Sequence, residues 1–73
     1  MTKYYITETE DNGFGREWEI EAKSLTTAKR LASRAQGQVN TTLSIHEIMD
    51  GEFYLVARKE KLERADSKWI DFE

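Results

Sequence analysis

The stretch EWEIEAKSLTTAKRLASRAQ, residues 17–36, decides the fold, because its hydrophobic period changes from that of a strand to that of a helix within one short run. Trp18, Ile20 and Ala22 fall on one side of the first part and Glu17, Glu19 and Glu21 on the other, the strict alternation of a half-buried strand. Ser24 follows, a residue whose hydroxyl can accept from a free backbone N–H of a first helical turn. No Pro or Gly interrupts the chain from there to Gln36. At about 100° per residue, Leu25, Ala28, Leu31, Ala32 and Ala35 lie within an arc of about 120°, with Lys29, Arg30, Ser33 and Arg34 on the opposite side. A helix to about Gln36 is expected, stopped by Gly37.

On the N-terminal side, residues 3–9 (KYYITET) are rich in aromatic and β-branched side chains and read as a strand, ended by the turn formers Asp11-Asn12-Gly13 and Gly15. On the C-terminal side, residues 42–49 (TLSIHEIM) and 52–59 (EFYLVARK) flank Asp50-Gly51, a dipeptide suited to the positive φ angles of a two-residue hairpin. Residues 68–72 (KWIDF) make a last short strand, reached through a polar loop or irregular turn over residues 60–67. The order is ββαβββ: an α+β fold in one small domain spanning residues 1–73, its helix packed on one face of a five-stranded sheet. One helix covers one face, so the other is expected to display Tyr5, Tyr54, Val56 and Trp69. Tyr5, Tyr54 and Trp69 are the candidate partner-binding residues. Cross-strand pairing alone is the ordinary alternative.

The chain has 73 residues, about half of the roughly 150 usual for a domain, and leaves no room for a second core. Chains this short bury only about 60% of their unfolded surface, which leaves little stability for a strained catalytic pocket. A binding role is therefore expected before an enzymatic one. Cysteine is absent, which excludes disulfides and thiolate chemistry. No apolar run follows positive charge at the N-terminus, and none approaches the roughly 20 residues of a membrane span. A cytoplasmic location is the expectation.

The net charge is −3, but the charges are sorted. Residues 1–22 hold Lys3 and Arg16 against Glu8, Glu10, Asp11, Glu17, Glu19 and Glu21, whereas residues 23–36 hold Lys23, Lys29, Arg30 and Arg34 with no acid. A second cationic group follows at Arg58, Lys59, Lys61, Arg64 and Lys68, diluted by Glu60, Glu63 and Asp66. A solvated helix face usually carries both signs, so the unmixed cations are a candidate phosphate-facing stripe, with the ordinary charged surface as the alternative.

Catalytic signatures are weak. His46 is the sole histidine and reads as an ordinary strand residue, since a histidine metal site or a Ser-His-Asp arrangement needs partners the chain lacks. Glu17, Glu19 and Glu21 share an exposed strand face, which does not separate their proton affinities as acid and base work requires. Gly13-Phe14-Gly15 lacks the third glycine and the immediate helix of a phosphate loop and reads as a turn. No metal or other cofactor is expected.

The run Ile20-Glu21-Ala22-Lys23-Ser24-Leu25, followed by Ala28-Lys29-Arg30-Leu31-Ala32-Ser33-Arg34 and Gln36, resembles the strand-to-helix segment of a phage anti-CRISPR family, the ninth numbered family of type I-F inhibitors. Residues 4–8, Gly51, Lys59-Glu60 and Lys68-Trp69-Ile70-Asp71 are similar to its first strand and last hairpin, so the resemblance spans nearly the whole chain. It departs over residues 13–18, 38–42 and in an insert at 61–67. The resemblance implies a five-stranded antiparallel sheet with one helix. It also implies binding to the backbone subunits of the Csy surveillance complex that hold the guide RNA, hindrance of target hybridisation, and non-specific retention of duplex DNA by the inhibited complex. The positions matching the family's cations are Lys29, Arg30 and Arg34, with Lys59 and Lys68 near the end. A stand-alone phage nucleic-acid-binding or regulatory module, stacking bases on an aromatic face, is the second expectation. Net negative charge and the lack of an RNA-binding signature weigh against it. A mimic of DNA is third, disfavoured by the segregated cations, and an enzyme is last.

Overall fold

The computed structural model of the chain describes residues 1–10, 15–35, 41–61 and 68–72. Its elements follow the expected order: β1 (Thr2–Glu10), β2 (Gly15–Ala22), α1 (Leu25–Ala35), β3 (Thr41–Met49), β4 (Glu52–Lys61) and β5 (Trp69–Asp71). The five strands form one sheet in the order β2-β1-β3-β4-β5 with every pair antiparallel, and α1 covers one face. No helix among the described residues is long and apolar enough to cross a membrane.

Asp50 (φ 52°) and Gly51 (φ 79°) both take the left-handed backbone that a two-residue hairpin turn requires. The expected turn at 11–14, the stop at Gly37 and most of the 60–67 loop lie outside the described residues. Glu60 and Lys61 belong to β4 instead of to that loop, because Thr42 and Thr41 of β3 pair with them and continue the ladder. Gly15 opens β2 opposite Thr9, where a Cβ would collide with the backbone carbonyl of Glu8. The close approach of the two backbones therefore demands glycine.

Side-chain alternation sends Tyr4 and Ile6 of β1, Ala22 of β2, Leu43 and Ile45 of β3 and Ala57 of β4 under the helix, where all are buried. The helix contributes Ala28 and Ala32, both fully buried. Two alanines one turn apart let the helix axis sit close to the sheet. Leu25, Leu31, Trp18 and Ile20 pack against this core and are half-buried.

Both helix ends are tied. At the N-terminus the Thr27 N–H donates to Ser24 Oγ (3.3 Å) and the Ala28 N–H to the Ser24 carbonyl (3.0 Å). At the C-terminus Arg16 donates through Nη2 to the Ala35 carbonyl, while its Nε lies 2.7 Å from Oε1 of the buried Glu8. Thr41 Oγ1 donates to the other carboxylate oxygen of Glu8 at 3.0 Å, so the buried charge is both paired and hydrogen-bonded.

The β3–β4 ladder carries one irregularity. Ile45 pairs with Ala57 and His46 with Leu55, which leaves Val56 as an extra residue of β4. The alternation of β4 reverses across it.

Candidate functional site

The register sorts the surface into two faces with different chemistry. On the uncovered face β2 contributes Glu17, Glu19 and Glu21, all exposed, opposite Thr7, Tyr5 and Lys3 of β1. Beyond β1, Tyr5 pairs with His46 of β3, His46 with Leu55 of β4 and Ile48 with Phe53. Arg58 then pairs with Ile70 of β5.

An aromatic shelf occupies the middle of this face. The Tyr5 and Phe53 rings stack with centroids 4.7 Å apart, and His46 tilts against Tyr5 at 5.9 Å. Phe53 is 53% exposed and Leu55 40%, values that mark contact surface and not core. The shelf ends at Ile70 and Phe72, with the Arg58 guanidinium 6.0 Å from the Phe72 ring. The Tyr5 hydroxyl donates to Glu17, and this bond, more than burial or the charges of Glu17 and Glu19, raises the Tyr5 pKa. His46 Nδ1 lies 3.3 Å from the Tyr5 carbonyl, and the residue is a half-buried member of the strand.

The residues expected to share one partner-binding face do not. Tyr5 lies on the uncovered face. Tyr54 pairs with Glu47, on the helix side of the sheet, and donates to Glu52 Oε2 at 2.6 Å. Trp69 pairs with Lys59 on that same side, at the flank of the helix. Val56 is the extra residue of β4 and packs against the core. The physical reason is the bulge together with the pairing of β5, neither of which leaves a periodic trace in sequence.

The candidate cations Lys29, Arg30, Arg34, Lys59 and Lys68 divide into two groups. Arg30 and Arg34, one turn apart, are exposed, as is Lys68 before β5. Lys29 does not project into solvent as the helical arc implied. Its ammonium lies 2.5 Å from Asp71 and 6.0 Å from the Trp69 ring centroid, because β5 runs along that flank of the helix. Lys59 donates to Ser33 Oγ at 2.9 Å and lies 5.5 Å from the same ring. Trp69 thus has two ammonium groups near its ring and is half-buried.

Sequence reasoning missed Phe53, Leu55, His46 and Arg58 as surface-forming neighbours of Tyr5. It also missed Arg16, whose ties to Glu8 and Ala35 cross a hairpin and a layer. No protein-family model, curated protein or solved structure matches this chain.

Proposed function

We propose that the protein is a non-enzymatic inhibitor of a type I CRISPR-Cas surveillance complex, with type I-F the subtype implied by the resemblance. In this reading it acts in the cytoplasm of the bacterial host, binding the backbone subunits that hold the guide RNA. It blocks target hybridisation and promotes non-specific retention of duplex DNA. The observation that carries the reading is the pair Arg30 and Arg34 on the solvent side of a helix with no acid in its sequence. Like charges four apart cost a helix about 0.2–0.5 kcal/mol, so stability alone does not favour the arrangement, and a phosphate backbone does. The five strands and single helix agree with the architecture the resemblance implies.

Lys68 is a further exposed cation just before β5, whereas Lys29 and Lys59 are held by Asp71 and Ser33 beside Trp69. The test is the double variant Arg30→Glu/Arg34→Glu, followed by pull-down of the Csy complex and gel shifts with duplex DNA over a salt series. DNA retention should fall and its salt slope should flatten by up to about one unit per lost contact, while capture of the complex persists. Failure of the unaltered protein to capture any type I complex sinks the reading.

One observation favours the second reading, a stand-alone nucleic-acid-binding module: the stacked Tyr5 and Phe53 rings on the uncovered face could take a base. Glu17 and Glu19 beside Tyr5 oppose it by repelling phosphate. Recovery of nucleic acid alone in the same pull-down would reverse the preference.

A further inference from the structure

The two edges of the sheet differ. β5 has three residues, whereas β2 has eight, and among the described residues no strand pairs with its outer side. In an antiparallel ladder alternate residues turn their N–H and C=O groups away from the partner strand, so β2 presents a row of open donors and acceptors.

The side chains along this edge are also sorted. Glu17, Glu19 and Glu21 stand exposed on the uncovered side, while Trp18 and Ile20 lie half-buried on the helix side. A strand added here would complete the backbone ladder, cover the outer flanks of Trp18 and Ile20, and place its own alternate residues beside three carboxylates. From the β1 side those carboxylates meet one cation, Lys3, opposite Glu21.

A second copy of this chain is a poor occupant. Antiparallel self-pairing centred on Glu19 sets Glu19 against its own copy and Glu17 against the copy's Glu21, all like charges directly opposed. Nucleic acid is repelled by the same row. We propose that the outer edge of β2 takes up an extended basic segment of another protein as a sixth strand, its lysines or arginines facing Glu17, Glu19 and Glu21 and its intervening apolar residues facing Trp18 and Ile20. The inference rests on the edge itself and stands whether or not the partner is a surveillance complex.

The probe is an end-blocked peptide alternating lysine and valine, titrated into the isotope-labelled full chain and followed by amide chemical shifts. The expected result is saturable shifts concentrated over residues 15–22. A peptide of the same composition with N-methylated amides keeps its charge and loses its donors, and it should bind at least about tenfold more weakly. Glu17→Lys/Glu19→Lys/Glu21→Lys should weaken the unmodified peptide by at least about tenfold as well. Equal binding of the N-methylated peptide would reduce the contact to diffuse charge attraction and overturn the proposal. Shifts centred on Tyr5 and Phe53, or no saturable binding, would overturn it too. These controls use the unaltered protein and do not depend on how the triple variant folds.

Discussion

Beneath the helix, Ile6, Leu43 and Ile45 are completely enclosed, while on the reverse of the same sheet Phe53, Leu55 and Ile70 stay exposed to solvent. Strand alternation is the same on both sides. What differs is the second layer: α1 brings Ala28 and Ala32 close enough to exclude water from one face, and among the described residues no element covers the other. Apolar side chains on the first face are held by folding, whereas those on the second contribute little to it.

The sharpest way to break this contrast is a pair of truncations. Ile45→Ala should cost about 2–5 kcal/mol in chemical denaturation, because it opens a cavity in a close-packed layer. Leu55→Ala, on the reverse face, should cost less than about 1 kcal/mol. Equal losses would mean that the uncovered face is a second core. Next in size is Arg16→Ala, which strips a partner from the buried Glu8 and a donor from the Ala35 carbonyl. Thr41 still holds one carboxylate oxygen and Arg16 is half-exposed, so the expected loss is about 1–3 kcal/mol, read as a lowered denaturation midpoint. Gly15→Ala should destabilise by a similar or smaller amount, about 1–3 kcal/mol, through overpacking against Glu8.

Smaller still is the effect of Arg30→Glu/Arg34→Glu on stability, expected within about 1 kcal/mol. It replaces a favourable cation at the helix C-terminus by an anion and exchanges one like-charge pair four residues apart for another. The smallest effect belongs to pH. The Tyr5 pKa is raised by its bond to Glu17 and the Tyr54 pKa by its bond to Glu52. A group whose folded pKa lies above its unfolded value stabilises below the unfolded value and loses that contribution as pH rises through the folded one. Stability should therefore be insensitive to these bonds at neutral pH and decline slightly above about pH 10. Ultraviolet titration of the tyrosines should show Glu17→Gln moving one of them to lower pH.

The order ββαβββ was legible because each element marks itself locally: alternation in residues 17–22, the alanine and leucine arc after Ser24, and Asp50-Gly51 between two β-rich runs. The facing of β4 was not legible, since one unpaired residue reverses it and Val56 looks like any other strand residue. Lys29 misled for a related reason. Its place on the helix was read correctly, but the strand that captures it lies more than thirty residues away, and only tertiary pairing brings Asp71 to that flank. Glu8 and Arg16 sit on opposite arms of a hairpin, and nothing in their spacing announces a buried ion pair.

The bulge at Val56 also bears on how such a protein could change under selection. A bulge absorbs its extra residue locally, so the residues on either side of Val56 face as they would in an uninterrupted ladder. Loss of one codon at position 56 would let β4 pair without interruption, with Leu55 still opposite His46, Ala57 still opposite Ile45, and Phe53 and Leu55 still on the uncovered face. Downstream, Ala57 and Lys59 would keep their places under the helix and beside Trp69. The gain or loss of one residue at this position can thus be taken up without turning over either the exposed or the buried side chains, a tolerance that an unbulged stretch of ladder lacks.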